Sequence, residues 1–88
     1  MTLFIPAHIV WQDVPGDLAL FDTETGNYYA LNGSAADIWR EIAAGADADT
    51  AAARLAEAYG ARQSDVRADV ADFVADALDK GVLVAAPA

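Results

Sequence analysis

Few side chains in this sequence could carry out chemistry. The one histidine, His8, precedes the first apolar stretch, and no serine or carboxylate stands at a spacing that would make a nucleophile or proton relay. The two serines, Ser34 and Ser64, both fall where a helix should begin, and capping accounts for them. Asp47-Ala48-Asp49 opens like a calcium loop, but the glycine at the sixth position and the glutamate at the twelfth are missing. Asp47 therefore reads as a helix cap. Without cysteine, neither a disulfide framework nor a thiolate metal site can form. These residues predict no enzyme, no cofactor and no metal.

The remaining chemistry is that of binding, and it centres on adjacent aromatics. Ile9-Val10-Trp11 reads as a first strand, closed by the turn signal Asp13-Val14-Pro15-Gly16-Asp17. Leu18-Ala19-Leu20-Phe21-Asp22 makes a second. Thr23-Glu24-Thr25-Gly26 is a hairpin loop with Gly26 at its left-handed position, and Asn27-Tyr28-Tyr29-Ala30-Leu31 returns as a third strand. Neighbouring strand residues face opposite sides, so one of Tyr28 and Tyr29 should be accessible. In meander order the second strand lies in the middle and the third keeps a free edge. Its backbone from Asn27 to Leu31 would offer unpaired N–H and C=O groups to an added peptide strand. A covered edge, or one paired with a second copy, is the plainer alternative. Tyr29→Pro should weaken peptide addition more than folding.

Beyond Asn32 alanine and aspartate dominate. Asn32 or Ser34 caps a first helix, with Ala35, Ile38, Trp39 and Ile42 as its apolar stripe and Gly45 as its end. Asp47 caps a second, with Ala51, Leu55 and Tyr59 buried and Gly60 as the stop; Trp39 and Tyr59 are expected in the core. Ser64 caps a third, running to about Lys80 before Gly81. Val82-Leu83-Val84 should fold back onto the core. The third helix has three faces. Val66, Val70, Phe73 and Ala77 cluster on one, widened by Val74 and Leu78. Ala68, Ala71 and Ala75 form another. Asp65, Asp69, Asp72, Asp76 and Asp79 make an acidic stripe, either a solvated face or a guide for a basic partner segment. Three strands followed by three helices is α+β, with the outline of a winged helix-turn-helix whose wing comes first.

Composition sets the outer bounds. The 88 residues make room for a single domain, 1–88, and 22 of them are alanine, so the core is one thin layer. Fourteen acids against five scattered bases give a net charge of −9, which disfavours nucleic acid and anionic membranes. No apolar run approaches the ~20 residues of a bilayer span. The N-terminus lacks the basic residues that open a secretory signal, and a cytoplasmic location is expected.

The segment from Leu20 to Trp39, with Leu31-Asn32-Gly33-Ser34-Ala35 at its centre and Ile38-Trp39 at its end, resembles the signature of PqqD-like proteins. These are the RiPP recognition elements, or peptide chaperones, of ribosomally made and modified peptides. Gly45, Leu55 and Tyr59 are similar to the family's second-helix pattern, and Asp69-Val70, Phe73, Leu78 and Gly81-Val82-Leu83 to its third helix and exit. Where the quinone-cofactor branch often has Cys-Asp-Gly, this chain reads Ala43-Ala44-Gly45; with its Thr25-Gly26 turn and Leu31-Asn32-Gly33-Ser34-Ala35 it resembles more closely stand-alone lasso-peptide recognition proteins, or members found beside HPr-kinase-like proteins. The resemblance implies a winged-helix-like fold that binds the leader segment of a precursor peptide in a cleft between the third strand and third helix. Carried over, peptide contacts fall on Asn27, Tyr28, Tyr29, Ala30 and Leu31, with a helix wall of Asp69, Val70, Phe73, Val74 and Ala77. The implied partners are that leader and a modifying enzyme or leader protease. Competing expectations are a winged-helix transcriptional regulator or anti-repressor, which five aspartates on a recognition helix argue against, and a structural strand-edge dimer.

Overall fold

A computed structural model describes residues 2–15 and 17–86. The described residues form two antiparallel sheets and three helices. The strands are β1 (Thr2–Phe4), β2 (Ile9–Val14), β3 (Asp17–Asp22), β4 (Tyr28–Asn32) and β5 (Val84–Ala86). The helices between β4 and β5 are α1 (Gly33–Ala43), α2 (Ala48–Tyr59) and α3 (Gln63–Lys80). The main sheet has the order β2-β3-β4, which is the expected meander, and with three helices it makes the α+β arrangement read from the sequence. Gly16 of the β2–β3 turn lies outside the described residues.

A second sheet was not foreseen. β1 pairs with β5, Leu3 opposite Ala85, so the chain ends meet. Three residues are too short for a periodicity signal, and only the return of the chain after Gly81 supplies the partner. Val82 and Leu83 are buried on that return, as expected of the apolar tail. β2 also runs three residues beyond Trp11, because Gln12, Asp13 and Val14 pair with Ala19, Leu18 and Asp17, the first two despite their polarity.

The hairpin between β3 and β4 is closed by its own side chains. Asp22, only 4 % exposed, accepts hydrogen bonds from the Glu24 and Thr25 backbone N–H groups at 2.9 and 3.1 Å. Gly26 takes φ 80°, where a side chain would be strained, and its N–H donates to the Asp22 carbonyl at 2.8 Å. Burial disfavours the Asp22 carboxylate. The Thr25 and Glu24 N–H groups, the Thr25 hydroxyl and nearby His8 outweigh that cost and hold its pKa below the ordinary aspartate value.

Leu18 and Leu20 of β3 point to the helices and are fully enclosed with Trp39, Val70 and Leu83. Trp39 is 0 % exposed, and its indole N–H has no oxygen or nitrogen acceptor. The Trp11 ring stands nearly perpendicular to it at a centroid separation of 6.4 Å, an edge-to-face contact that ties β2 to α1. On α1 the stripe is Ala36, Ile38, Trp39 and Ile42, with Ala35 only half-buried.

Three local expectations change. Tyr59 is not core: it is 47 % exposed, and its hydroxyl donates to Asp37. Arg40 binds the same Asp37 at 3.0 Å and grips Asp13 at 2.7 and 3.0 Å. The ring thus ends in a polar cluster joining β2, α1 and α2, whose acceptors could not be seen in a helical stripe. α3 begins one residue before Ser64, with Arg62 at the cap position and no side-chain cap bond. Asn32 holds the cap position of α1, also without a side-chain bond. Asp47 does cap α2, accepting from the Thr50 N–H at 2.8 Å.

Candidate functional site

Among the described residues β4 hydrogen-bonds only to β3. Which of its backbone groups face outward follows from the register. The Asp22 N–H donates to the Asn27 carbonyl at 2.9 Å, so Asp22 and Asn27 form a hydrogen-bonded pair. The β3–β4 register then makes Leu20–Tyr29 and Leu18–Leu31 the next such pairs, because they alternate along an antiparallel ladder. The β2–β3 ladder agrees, since the Thr23 N–H donates to the His8 carbonyl at 2.9 Å, which turns Phe21 and Ala19 toward β2. The Asn27 carbonyl and the backbones of Tyr29 and Leu31 are therefore engaged with β3, and the Asn27 N–H donates to the Thr25 hydroxyl at 3.2 Å. The backbones of Tyr28, Ala30 and Asn32 face the open edge.

Side chains alternate in the other plane. Tyr29 and Leu31 are half-buried on the helix side, whereas Tyr28 and Ala30 are exposed on the opposite face. Tyr29 and Leu31 line a groove with Leu20, with Phe73, Asp76, Ala77 and Lys80 of α3, and with Val82. It encloses a small cavity of about 40 Å³. Its floor is apolar. At one end the Lys80 ammonium sits 2.7 Å from Asp76 and 5.9 Å from the centre of the Tyr29 ring. The hydrogen bond and charge of Asp76 raise the Lys80 pKa above its ordinary value.

The sequence-predicted helix wall divides. Phe73 is half-buried and Ala77 buried, and both line the groove. Val70 and Val74 are buried in the core and do not line it. Asp69, one turn before Phe73, is exposed and does not line the groove. Lys80 and Asp76 were not among the expected wall residues, although stepping three and seven positions on from Phe73 reaches both. All five aspartates of the stripe are exposed.

His8 lies 4.0 Å from Asp22 and 3.7 Å from Glu24, and the neighbouring Thr23 hydroxyl donates to the His8 carbonyl at 2.9 Å. Among the described residues no group of three histidines or carboxylates could hold a metal ion, and no helix is long and apolar enough to cross a membrane.

Among the described residues β4 thus has an unpaired edge beside an apolar groove, a geometry to which an extended strand can add. The sequence matches the family model described as Coenzyme PQQ synthesis protein D (PqqD) over residues 17–83, and the chain belongs to that family. No curated protein matches it. Among solved structures it is similar to TbiB1 in complex with the TbiA(beta) leader peptide, with a TM-score of 0.88 and 20 % identity over 96 % of this chain and 98 % of that one. It is also similar to a lasso peptide synthetase B1 complexed with the leader peptide, with a TM-score of 0.87 and 22 % identity over 97 % of this chain and 100 % of that one. At these identities the likeness establishes the shared fold.

Proposed function

We infer that this chain is a non-catalytic recognition module. It binds the leader segment of a ribosomally made precursor peptide as a fourth strand on β4, and delivers it to a modifying enzyme or leader protease. The observation that carries this reading is the open edge of β4, with the Tyr28, Ala30 and Asn32 backbones facing outward beside an apolar groove. Family membership supports it, as do two neighbours of the same fold that hold leader peptides. The neighbour described as a lasso peptide synthetase B1 favours a lasso-peptide pathway over the quinone cofactor.

The energetics require both parts of the site. Tyr28 and Ala30 each offer an N–H and a C=O, and Asn32 adds an N–H, its carbonyl serving α1. About five hydrogen bonds at ~0.5–1.5 kcal/mol net each contribute ~2.5–7.5 kcal/mol. That is less than the ~8 kcal/mol of a micromolar complex, before any cost of association. Peptide side chains opposite Tyr29 and Leu31 must therefore enter the groove, each buried apolar side chain adding ~1.5–3 kcal/mol. Delivery then acts through effective concentration, since a held leader keeps the rest of the precursor near the enzyme.

The test is an amide NMR titration with the leader of the precursor encoded nearby. Binding should shift Tyr28, Ala30 and Asn32 most, followed by the groove residues of α3. Saturable shifts confined to α1 and α2 would sink the strand-addition reading.

A further inference from the structure

The groove beside β4 is too small for the side chains that must enter it. Its cavity of about 40 Å³ has room for a few waters, whereas a single benzene ring takes a cavity of ~150 Å³. Leader side chains opposite Tyr29 and Leu31 therefore need a wall that gives way. Most of the wall is fixed. Leu20, Ala77 and Val82 are buried core residues, and moving them would disturb close-packed neighbours. Tyr29, Leu31 and Phe73 pack against that core, and the Asn27 side-chain amide donates to the Tyr29 hydroxyl at 3.4 Å. Lys80 is different. Its side chain is 46 % exposed and flexible, and its ammonium is held 2.7 Å from Asp76 and 5.9 Å from the centre of the Tyr29 ring.

Strand geometry locates the conflict at that ring. Because the Tyr29 backbone is engaged with β3, an added strand would meet it as a non-hydrogen-bonded pair, the closer of the two kinds. The peptide side chain opposite would stand on the helix side, its Cβ about 4.5–5.5 Å from that of Tyr29. The Lys80 ammonium already lies over the same ring. The contacts that keep it there are an i,i+4 ion pair and a cation–π contact, both weak at exposed sites. Displacing them changes affinity by a modest factor and leaves the core untouched.

We propose that Lys80, tethered to Asp76, is a latch on the groove: it covers the Tyr29 ring in the empty chain and swings out to admit the leader. The inference rests on the leader-binding reading. In the empty chain the latch lays a charge over an aromatic ring beside an unpaired strand edge, where an open apolar face would invite unselective pairing. A leader must bring enough apolar surface to displace it.

The experiment uses the full chain and the leader of the precursor encoded nearby, with affinity read by calorimetric titration and a thermal melt to show that each variant folds. Lys80→Ala removes the latch and should bind the leader about fourfold to tenfold more tightly. Asp76→Asn removes the tether and should also bind more tightly, by a smaller factor. The shared sign is diagnostic, because the two substitutions change the net charge in opposite directions. If either side chain instead pairs with a leader charge, one variant tightens and the other weakens, which overturns the latch. Two variants that match the wild type, or that both weaken, overturn it as well and leave the leader reading intact. A wild-type chain that binds no leader overturns both. NMR supplies a readout independent of affinity. The Lys80 Hε resonances should lie upfield in the free chain, under the Tyr29 ring current, and return to exposed-lysine positions at leader saturation. Resonances that stay upfield in the complex overturn the swing.

Discussion

Tyr29 and Ala30, neighbours on one strand, differ in what their backbones do. The Tyr29 N–H belongs to the β3–β4 ladder and that of Ala30 to the open edge, so proline should act differently at each position. Ala30→Pro should leave the melting temperature nearly unchanged and weaken leader binding at least fivefold, measured by calorimetric titration. Tyr29→Pro, which reading the edge from sequence alone would choose, should instead lower stability by breaking the pair with Leu20. Phe73 is half-buried, so Phe73→Ala should cost about 1.5–2.5 kcal/mol in urea unfolding, below the ~3–5 kcal/mol of a fully buried aromatic. Its effect on leader affinity should be larger than its effect on stability. Tyr59 gives a third residue-scale prediction. Desolvation of its hydroxyl, together with the hydrogen bond to the Asp37 carboxylate and that group's charge, pushes its pKa up to about 12. A spectrophotometric alkaline titration should show one phenol ionising near pH 12, absent from Tyr59→Phe. Because the folded value is raised, the Tyr59–Asp37 contribution is complete below pH ~10 and is lost as pH rises through the folded pKa.

At the scale of elements, the β3–β4 hairpin positions the edge, and Asp22 holds the hairpin. Its folded pKa is lowered, so its stabilising contribution is present above the ordinary carboxylate range and is lost as pH falls through the folded value. Acidification below pH ~4 should release the Glu24 and Thr25 amides, seen as faster hydrogen exchange there than in α1. Asp22→Asn, which keeps the shape but not the charge, should flatten that dependence. This element was legible in outline: the Thr-Glu-Thr-Gly turn and flanking apolar runs predict a hairpin. The capping role of Asp22 was not, because an aspartate ending a strand carries no mark of whether it is buried.

The whole molecule combines a thin core with a net charge of −9. Self-repulsion on that scale opposes the compact state, and salt screens it. Raising sodium chloride from about 20 to about 200 mM should therefore raise the melting temperature by a few degrees, read by circular dichroism. The same series separates the two readings of the α3 stripe. Leader affinity that falls steeply with salt supports a guide for a basic segment, and affinity indifferent to salt leaves a solvated face. At this scale β1 and β5 also matter, since their pairing brings the two ends together around Leu3, Val82 and Leu83.

The sequence alone determined the features that depend on local periodicity and turn chemistry. These are the hairpin at Gly26, the apolar stripe of α1 through Ile38, Trp39 and Ile42, the cap at Asp47, and the acidic stripe of α3. Strand order followed from the short loops. Tertiary structure decided the rest, because each remaining feature depends on a partner distant in the chain. Pairing of β1 with β5 joins segments about eighty residues apart, a contact no window of sequence contains. The Asp13–Arg40–Asp37–Tyr59 cluster drew Tyr59 out of the core by offering its hydroxyl an acceptor. Which α3 residues line the groove depended on how that helix is rotated against the sheet. A turn of a few tens of degrees buries Val70 and Val74 and leaves Phe73, Asp76 and Lys80 facing β4.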